Sequence, residues 1–393
     1  MELLRKWDCN VPTLRFSNKT IWEKKRIKDF CEVNPKTEEL EDEFIYIDLE
    51  SVSKGCLLSK NIISKTNAPS RAQRVLTNND ILFQCVRPYQ MNNLLFNAEN
   101  ADFQYVASTG YAQIRTQENP SFVYHLLHSP NFNKEVMLRC TGSSYPAITS
   151  SDLGDIEVYI CGVGEQQKIG HFLDLIDRRI AVQNKIIEDL KVLKKELCND
   201  HFKSVLHDAS LKYITLKEIL TERKEYCSKD GTYTHGTLSK EGVAPKTERY
   251  DRDFLVKNED KQYKVTHLND ICYNPANLKF GVICRNTYGD LIFSPIYVTF
   301  KISDNVYPAY IELFLTNQNF IGRIRRYEQG TVYERMAVSP EDFLSYETHM
   351  PTYEEQVKFA NEMQCIQRKI ELETAFLSFL QRQRKYLLNA MFI

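Results

Sequence analysis

Residues 51 to 79 carry Lys54, Lys60, Lys65, Arg71 and Arg74 without one acidic residue, with Asn, Ser and Thr interleaved. Cations among small polar donors are what grips phosphate oxygens, although such a run also reads as a solvated loop. Two more basic stretches follow: Lys240, Lys246, Arg249 and Arg252 among acids, and Arg323, Arg325, Arg326 and Arg335 around Gly330. Reading bases needs Arg, Lys, Asn or Gln on rigid loops. The candidates for contact with nucleic acid are Lys54, Arg71, Arg74, Arg87 and Tyr89 in the first half and Lys240, Lys246, Arg249, Tyr250, Asn277 and Lys279 in the second. Ser143 and Tyr145 in Gly142-Ser143-Ser144-Tyr145, and Thr331 and Tyr333 in Gly330-Thr331-Val332-Tyr333, join them. A Gly-Ser/Thr turn lets backbone amides approach a phosphate; an ordinary turn with a packed Tyr fits equally.

Other chemistries find less to stand on. Asn274-Pro275-Ala276-Asn277 has only the first half of an amino-methyltransferase loop, so catalysis by this motif is not expected. No Gly-Lys-Ser/Thr phosphate loop is present. His125 and His128 lie three apart on an expected helix with no Cys or carboxylate at ligand spacing, so they read as surface or packing residues and no metal is expected. Eleven cysteines without a Cys-x-x-Cys pair suggest reduced thiols.

These residues must be positioned by something, and the sequence says most of it twice. Glu165-Gln166 recurs 190 residues later as Glu355-Gln356, Asn79-Asp80-Ile81 as Asn269-Asp270-Ile271, and Asp152 as Asp342. Behind each Glu-Gln pair runs an amphipathic helix in matching register. Ile169, Leu173, Ile176, Ile180, Gln183, Ile187, Leu190, Lys194 and Leu197 answer Phe359, Met363, Ile366, Ile370, Glu373, Leu377, Leu380, Arg384 and Leu387. Spacings of three and four pack one helix on another as a left-handed coil, and the nearest equal partner is the other copy, so an antiparallel pair is expected. Each helix would reach roughly 55 Å, more than a head needs for its own core. Phe172, Leu175, Phe376 and Phe379 fall outside the seam and leave apolar surface for helices of other subunits.

The layout is therefore α+β: two pseudo-symmetric globular heads separated by two long antiparallel helices packed as a coiled coil. The expected divisions are 1–160 for the first head, 161–207 for the central helix, 208–352 for the second head and 353–393 for the distal helix. Strand-like runs fall at 44–49, 80–86, 105–114 and 156–160, then at 262–266, 271–273 and 292–302; helical stretches fall at 120–139 and 307–327. With 393 residues, a net charge of -1 and no signal-like or membrane-length apolar run, a folded cytoplasmic protein is expected, one that attracts nucleic acid only through local patches. Two basic heads on a stiff spacer suit a two-part DNA site, because duplex repeats every 10.5 base pairs or so turn a spacer into a fixed gap.

The chain resembles the specificity subunits of type I restriction-modification enzymes over nearly its whole length. Val11-Pro12-Thr13-Leu14-Arg15-Phe16 with Trp22-Glu23 resembles the start of a target-recognition domain, and Ala68-Pro69-Ser70-Arg71-Ala72-Gln73-Arg74, Asp80-Ile81-Leu82 and Val86-Arg87-Pro88 its middle. Leu238-Ser239-Lys240-Glu241-Gly242-Val243, Tyr250-Asp251-Arg252-Asp253 and the run from Asp270 to Lys279 are similar to another subtype. The Glu-Gln starts, with Ile180 and Ile370 downstream, resemble the central and distal helices. One departure is that Pro351 precedes the second start where Cys161, Gly162 and Gly164 loosen the first. The resemblance implies a subunit with no catalysis or cofactor of its own. It would bind double-stranded DNA, two methyltransferase subunits and restriction/translocase subunits, with S-adenosylmethionine, ATP and magnesium used by those partners. A non-catalytic scaffold whose two heads bind proteins stays open, and the near-neutral charge suits it.

Overall fold

The computed structural model describes residues 11–98, 102–228, 232–240, 242–246, 262–328 and 337–393. It is a mixed helix and sheet architecture in which the long helix Val163–His207 follows a first sheet-rich domain and leads into a second, closed by the helix Tyr353–Met391. The chain divides into two compact units, residues up to Lys185 with Ala375–Ile393, and Ile186–Thr374. Each head thus keeps the start of its own long helix and receives the end of the other.

The first head has a four-stranded sheet in the order Cys31–Val33, Tyr111–Thr116, Ile81–Gln84, Leu94–Leu95, beside a second in the order Asn61–Ser64, Glu43–Ile47, Gln104–Ser108, Ala72–Val75. A two-stranded sheet, Trp22–Arg26 with Glu157–Cys161, leads into the helix. The second head repeats this plan. Leu220–Glu222, Val298–Ile302, Ile271–Tyr273 and Ile283–Arg285 form the matching sheet, and Lys212–Thr215 with Glu347–Met350 the matching pair. Even the register agrees, since Ile81 faces Leu95 and Ile271 faces Arg285.

The repeated sequence motifs are repeated interactions. Asn79 and Asn269 both turn through the left-handed region at φ 70, a conformation asparagine tolerates. Each delivers a buried aspartate onto the backbone N–H of Thr77 or His267 and onto an arginine. The arginines come from different segments: Arg115, in the strand Tyr111–Thr116, binds Asp80 through Nε and Nη2, both at 2.8 Å, and Arg223, just past the strand Leu220–Glu222, binds Asp270 at 2.7 and 3.0 Å. The buried glutamine of each Glu-Gln pair is equally constant. Gln166 Nε2 donates to Cys161 O at 2.7 Å and its Oε1 accepts from Asn119 N–H at 3.0 Å; Gln356 does the same with Pro351 O and Tyr307 N–H, both at 2.9 Å. One amide thereby fixes the long helix to the strand before it and to the first turn of a head helix. The glutamates differ. Glu355 caps its own helix through Thr352, whereas Gly162 leaves Glu165 to accept from the N–H of Phe16 and Ser17.

The expected elements hold with breaks that the local chemistry explains. The stretch at 120–139 is two helices, Pro120–Leu126 and Pro130–Arg139, because Ser129 caps the second and proline starts it. The stretch at 307–327 divides at Asn317, which caps Gln318–Ile324. The run at 105–114 bends at Thr109-Gly110, and that at 292–302 is interrupted between Leu291–Phe293 and Val298–Ile302. Val163 begins the first long helix, two residues ahead of Glu165.

The long helices are antiparallel within each unit. Asp177 pairs with Arg384 and Arg179 lies over Phe376 in the first; Lys194 bonds Gln367 at 2.9 Å and His201 stacks on Phe359 in the second. Gln183, Ile187, Ile370 and Leu380 are buried, and Ile176, Ile180, Leu190, Ile366 and Leu377 half-buried, as a helix seam requires. Several seam residues also belong to the heads. Ile169, Leu173 and Leu387 are in the first head's apolar core with Phe122 and Phe392, and Phe359 and Met363 in the second's with Phe202 and Tyr310. Leu197 is 39% exposed; Cys198 and Phe202 turn inward instead, because the helix end there packs on the second head. Phe172 packs edge-on against Phe16 and Phe376 lies under Arg179, so of the four residues outside the seam Leu175 and Phe379 remain exposed. Leu14 N–H and Thr13 Oγ1 both donate to Ala390 O, binding the start of the described chain to the end of the second long helix. Among the described residues, no helix is long and apolar enough to cross a membrane.

Gln356→Ala strands Tyr307 N–H and Pro351 O, at about 1–3 kcal/mol for each buried group left unpaired. The urea midpoint is expected to fall well below that of Gln381→Ala, an exposed control on the same helix. Equal midpoints would remove the glutamine from its tying role.

Candidate nucleic-acid interface

In the first head the expected contact residues gather around the loop between Ile81–Gln84 and Leu94–Leu95. Arg87 stands in the left-handed region at φ 55, its N–H donating to Pro146 O at 2.8 Å and its guanidinium 4.2 Å from the Tyr145 ring. That contact joins two candidates from separate stretches of sequence through a cation–π interaction. Tyr145 and Tyr89 are 62% and 53% exposed, and Ser143 is exposed beside Gly142, whose φ of +91 makes the turn. Lys54 tips the hairpin Val52–Ser53/Cys56–Leu57, and its N–H reaches Asn92 Oδ1 at 3.2 Å on the same loop. Its neighbour Gly55 is required, since at φ +79 a Cβ would come 2.5 Å from the Tyr124 hydroxyl.

Arg71 and Arg74 approach from the adjoining sheet. Thr109 N–H donates to Arg71 O, and Cys85 N–H donates to the next residue, Gly110, which sets the two segments side by side. Arg71 is exposed; Arg74 is half-buried, its Nε lacks a hydrogen-bond partner, and burial lowers its pKa. The Cys85 thiol beside it is pushed up to about 11 by burial, so it is unreactive packing.

The loop is held from below by polar side chains, of which the sequence singles out His128 alone, as a surface or packing residue. Gln84 N–H donates to Asn93 Oδ1 at 2.8 Å, Asn93 Nδ2 faces His128 Nε2 at 3.4 Å, and His128 Nδ1 faces Tyr124 O at 2.8 Å. Because a carbonyl only accepts, His128 carries its proton on Nδ1 and is neutral. Burial drives its imidazole down to about 4; the bond to Tyr124 O opposes this, Arg384 and His125 add to it, and Asp177 opposes. His125 is fully buried with Nε2 2.9 Å from Asp174, so both histidines are packing residues.

The second head builds the same loop between Ile271–Tyr273 and Ile283–Arg285. Asn277 is exposed where Arg87 stands in the first copy, and Lys279, lying over the Phe280 ring at 5.3 Å, where Tyr89 stands. Gly281 repeats the left-handed turn of Met91, and Val338 N–H donates to Pro275 O as Ile148 N–H does to Cys85 O. Asn274 is buried and holds Ala276 N–H, a loop-supporting role. Lys240 is exposed at the turn of the hairpin Thr234–Ser239/Gly242–Pro245, and Lys246 follows it with its N–H on His235 O. That hairpin packs on the loop's strands through Leu238, Val243, Cys272 and Cys284. Arg249, Tyr250, Thr331 and Tyr333, with Arg252 and Arg335, lie outside the described residues. Among the described residues no cluster of His, Cys, Asp or Glu has the make-up of a metal site.

Residues 20–192 match the family described as type I restriction modification DNA specificity domain. A solved chain from a study of complex assembly and conformational transition of the type I R-M system is 18% identical, with a TM-score of 0.58 over 93% of this chain and 96% of that one. The type I restriction-modification S subunit from M. genitalium is 16% identical, with a TM-score of 0.56 over 98% and 99%. At such identities the likeness is one of fold. No curated protein matches the sequence.

His128 gives the loop a pH signature. An unfolded-chain histidine titrates near 6.5 and the native one at about 4, so the unfolded state takes the proton first. Stability is full above pH 6.5 and falls as pH drops toward 4, by on the order of 3 kcal/mol at the limit. His128→Gln is expected to lose this slope. Urea midpoints at pH 7 and pH 5 that drop equally in wild type and variant would refute a neutral buried His128.

Proposed function

We propose that this chain, whose residues 20–192 match the family described as type I restriction modification DNA specificity domain, is the DNA-recognition subunit of a type I restriction-modification complex and reads a two-part target with its two heads. The family recognises DNA and supplies no catalysis. The observation that carries the two-part reading is the pair of equivalent loops, 84–93 and 274–283, which share register and left-handed turn but bear different side chains. Arg87 and Tyr89 on one, and Asn277 and Lys279 on the other, are unlike chemistries at like positions. They suit two unlike half-sites.

The heads, taken as 1–160 and 208–352, would contact the duplex through Lys54, Arg71, Arg74, Arg87, Tyr89, Ser143 and Tyr145, and through Lys240, Lys246, Arg249, Tyr250, Asn277, Lys279, Thr331 and Tyr333. Lysine and arginine neutralise phosphates, while the loop tips meet base edges. The helices at 161–207 and 353–393 would set the gap between half-sites. Their exposed apolar residues, Leu175 and Phe379 among them, would receive two methyltransferase subunits. Restriction/translocase subunits would complete the complex in the cytoplasm, and S-adenosylmethionine, ATP and magnesium would be handled by those partners.

Mapping of adenine methylation in DNA from cells carrying this chain with its methyltransferase tests the reading: a gapped motif lost on deleting the chain is expected, and methylation indifferent to the chain would overturn it. A second measurement separates DNA binding from a protein scaffold. Affinity for the cognate duplex is expected to fall steeply with salt, and the Arg71→Ala/Arg74→Ala variant to weaken binding and lower the salt slope by about one for each phosphate no longer neutralised. Unchanged affinity and slope in a folded variant would remove that patch from the interface.

A further inference from the structure

Gln90 is exposed at the tip of the first loop, and its amide is oriented by a buried neighbour. Gln84, 2% exposed, makes three side-chain hydrogen bonds: Nε2 to Val86 O at 2.8 Å, Nε2 to Gln90 Oε1 at 2.9 Å, and Oε1 from Asn92 N–H at 3.2 Å. Two of these partners leave no choice, because a backbone carbonyl only accepts and a backbone N–H only donates. Val86 O therefore fixes the nitrogen end of Gln84, and Asn92 N–H fixes the oxygen end. The atom of Gln90 that meets the second Gln84 N–H must then be its oxygen. Among the described residues Gln90 is left with its NH2 group free of protein partners, and with one lone pair on Oε1. Arg87 and Met91 on either side both hold left-handed conformations, at φ 55 and φ 52, which residues other than glycine keep only where their surroundings impose them.

We propose that Gln90 is a base-reading residue of the first head and that Gln84 is the positioning residue that decides which end of its amide faces the DNA. The inference rests on the DNA-recognition reading above. An amide presented nitrogen-first selects an acceptor on a base edge in the major groove: purine N7, guanine O6 or thymine O4. Adenine uses both ends, with N7 accepting from Nε2 and the N6 amine donating to the spare lone pair of Oε1. Arg87 and Tyr145, clasped together beside the tip, seat the loop on the backbone while Gln90 discriminates. The second head has Phe280 at the matching position, so it reads its half-site by other means.

The test is methylation mapping of DNA from cells carrying the full chain with its methyltransferase, for wild type, Gln90→Ala, Gln90→Glu and Gln84→Leu. Gln90→Ala is expected to relax the motif at one base pair of one half-site, raising methylation of sites that differ there by roughly tenfold or more. Gln90→Glu, which only accepts, is expected to shift the preference at that same base pair toward a base offering a donor, cytosine or adenine. Being exposed, it disturbs no core. Gln84→Leu frees the Gln90 amide to turn, and is expected to relax that base pair and no other. A motif unchanged in both Gln90 variants would overturn the base-reading role, as would methylation lost at all sites while the chain still assembles with its methyltransferase. Relaxation with Gln90→Ala but not with Gln84→Leu would overturn the positioning role. A wild-type chain on which no motif depends would remove the DNA-recognition reading, and this inference with it.

Discussion

A single buried amide, present once in each repeat, ties the helices to the heads. Gln166 and Gln356 each bridge the end of the segment before the helix, Cys161 or Pro351, and the residue that caps a head helix, Asn119 or Tyr307, from a place just inside a long helix. A long helix is stiff along its length but has no inherent direction relative to the sheet before it. Three backbone elements meeting at one side chain supply that direction. The cost of stranding two buried backbone groups keeps it fixed. Everything farther out inherits its accuracy from this junction, including the loop tips with their cationic and aromatic side chains.

What the sequence made legible follows from what repeats leave in common. The offset of 190 residues survives in Asn79 and Asn269, in Asp80 and Asp270, and in the glutamines, because each performs a backbone task that either head needs. Periodicity found the long helices, since apolar residues three and four apart leave few alternatives. It overreached at Leu197, where the register passes to Cys198 and Phe202 once the second head's aromatic core offers more burial than the seam. The partners of the duplicated aspartates were invisible for a similar reason. Arg115 lies within a strand and Arg223 just past a different one, so the salt bridge is preserved in space while its sequence position is not.

The candidate interface divides along the same line. Charge and composition singled out Arg71 and Arg74 as candidates, because affinity for phosphate depends on residue type more than on geometry. The residues beneath them, Gln84, Asn93 and His128, carry no such mark, for a neutral polar side chain on an apolar strand looks the same whether it holds a loop or packs idly. Their role exists only once the chain has folded and a carbonyl or an N–H has been placed opposite each. A net charge of -1 conceals this interface altogether, since acids elsewhere balance cations gathered at the loops.

The hydrogen bond from Leu14 N–H to Ala390 O has a topological meaning. Shifted by 190 residues, the pair becomes Ser204 and Asp200, which sit four apart inside the helix Val163–His207 and share an ordinary helical bond. The start of the described chain thus occupies, at the end of the second long helix, the place that continuous backbone occupies at the end of the first. Hydrogen bonding carries the pattern across a gap in covalent connection.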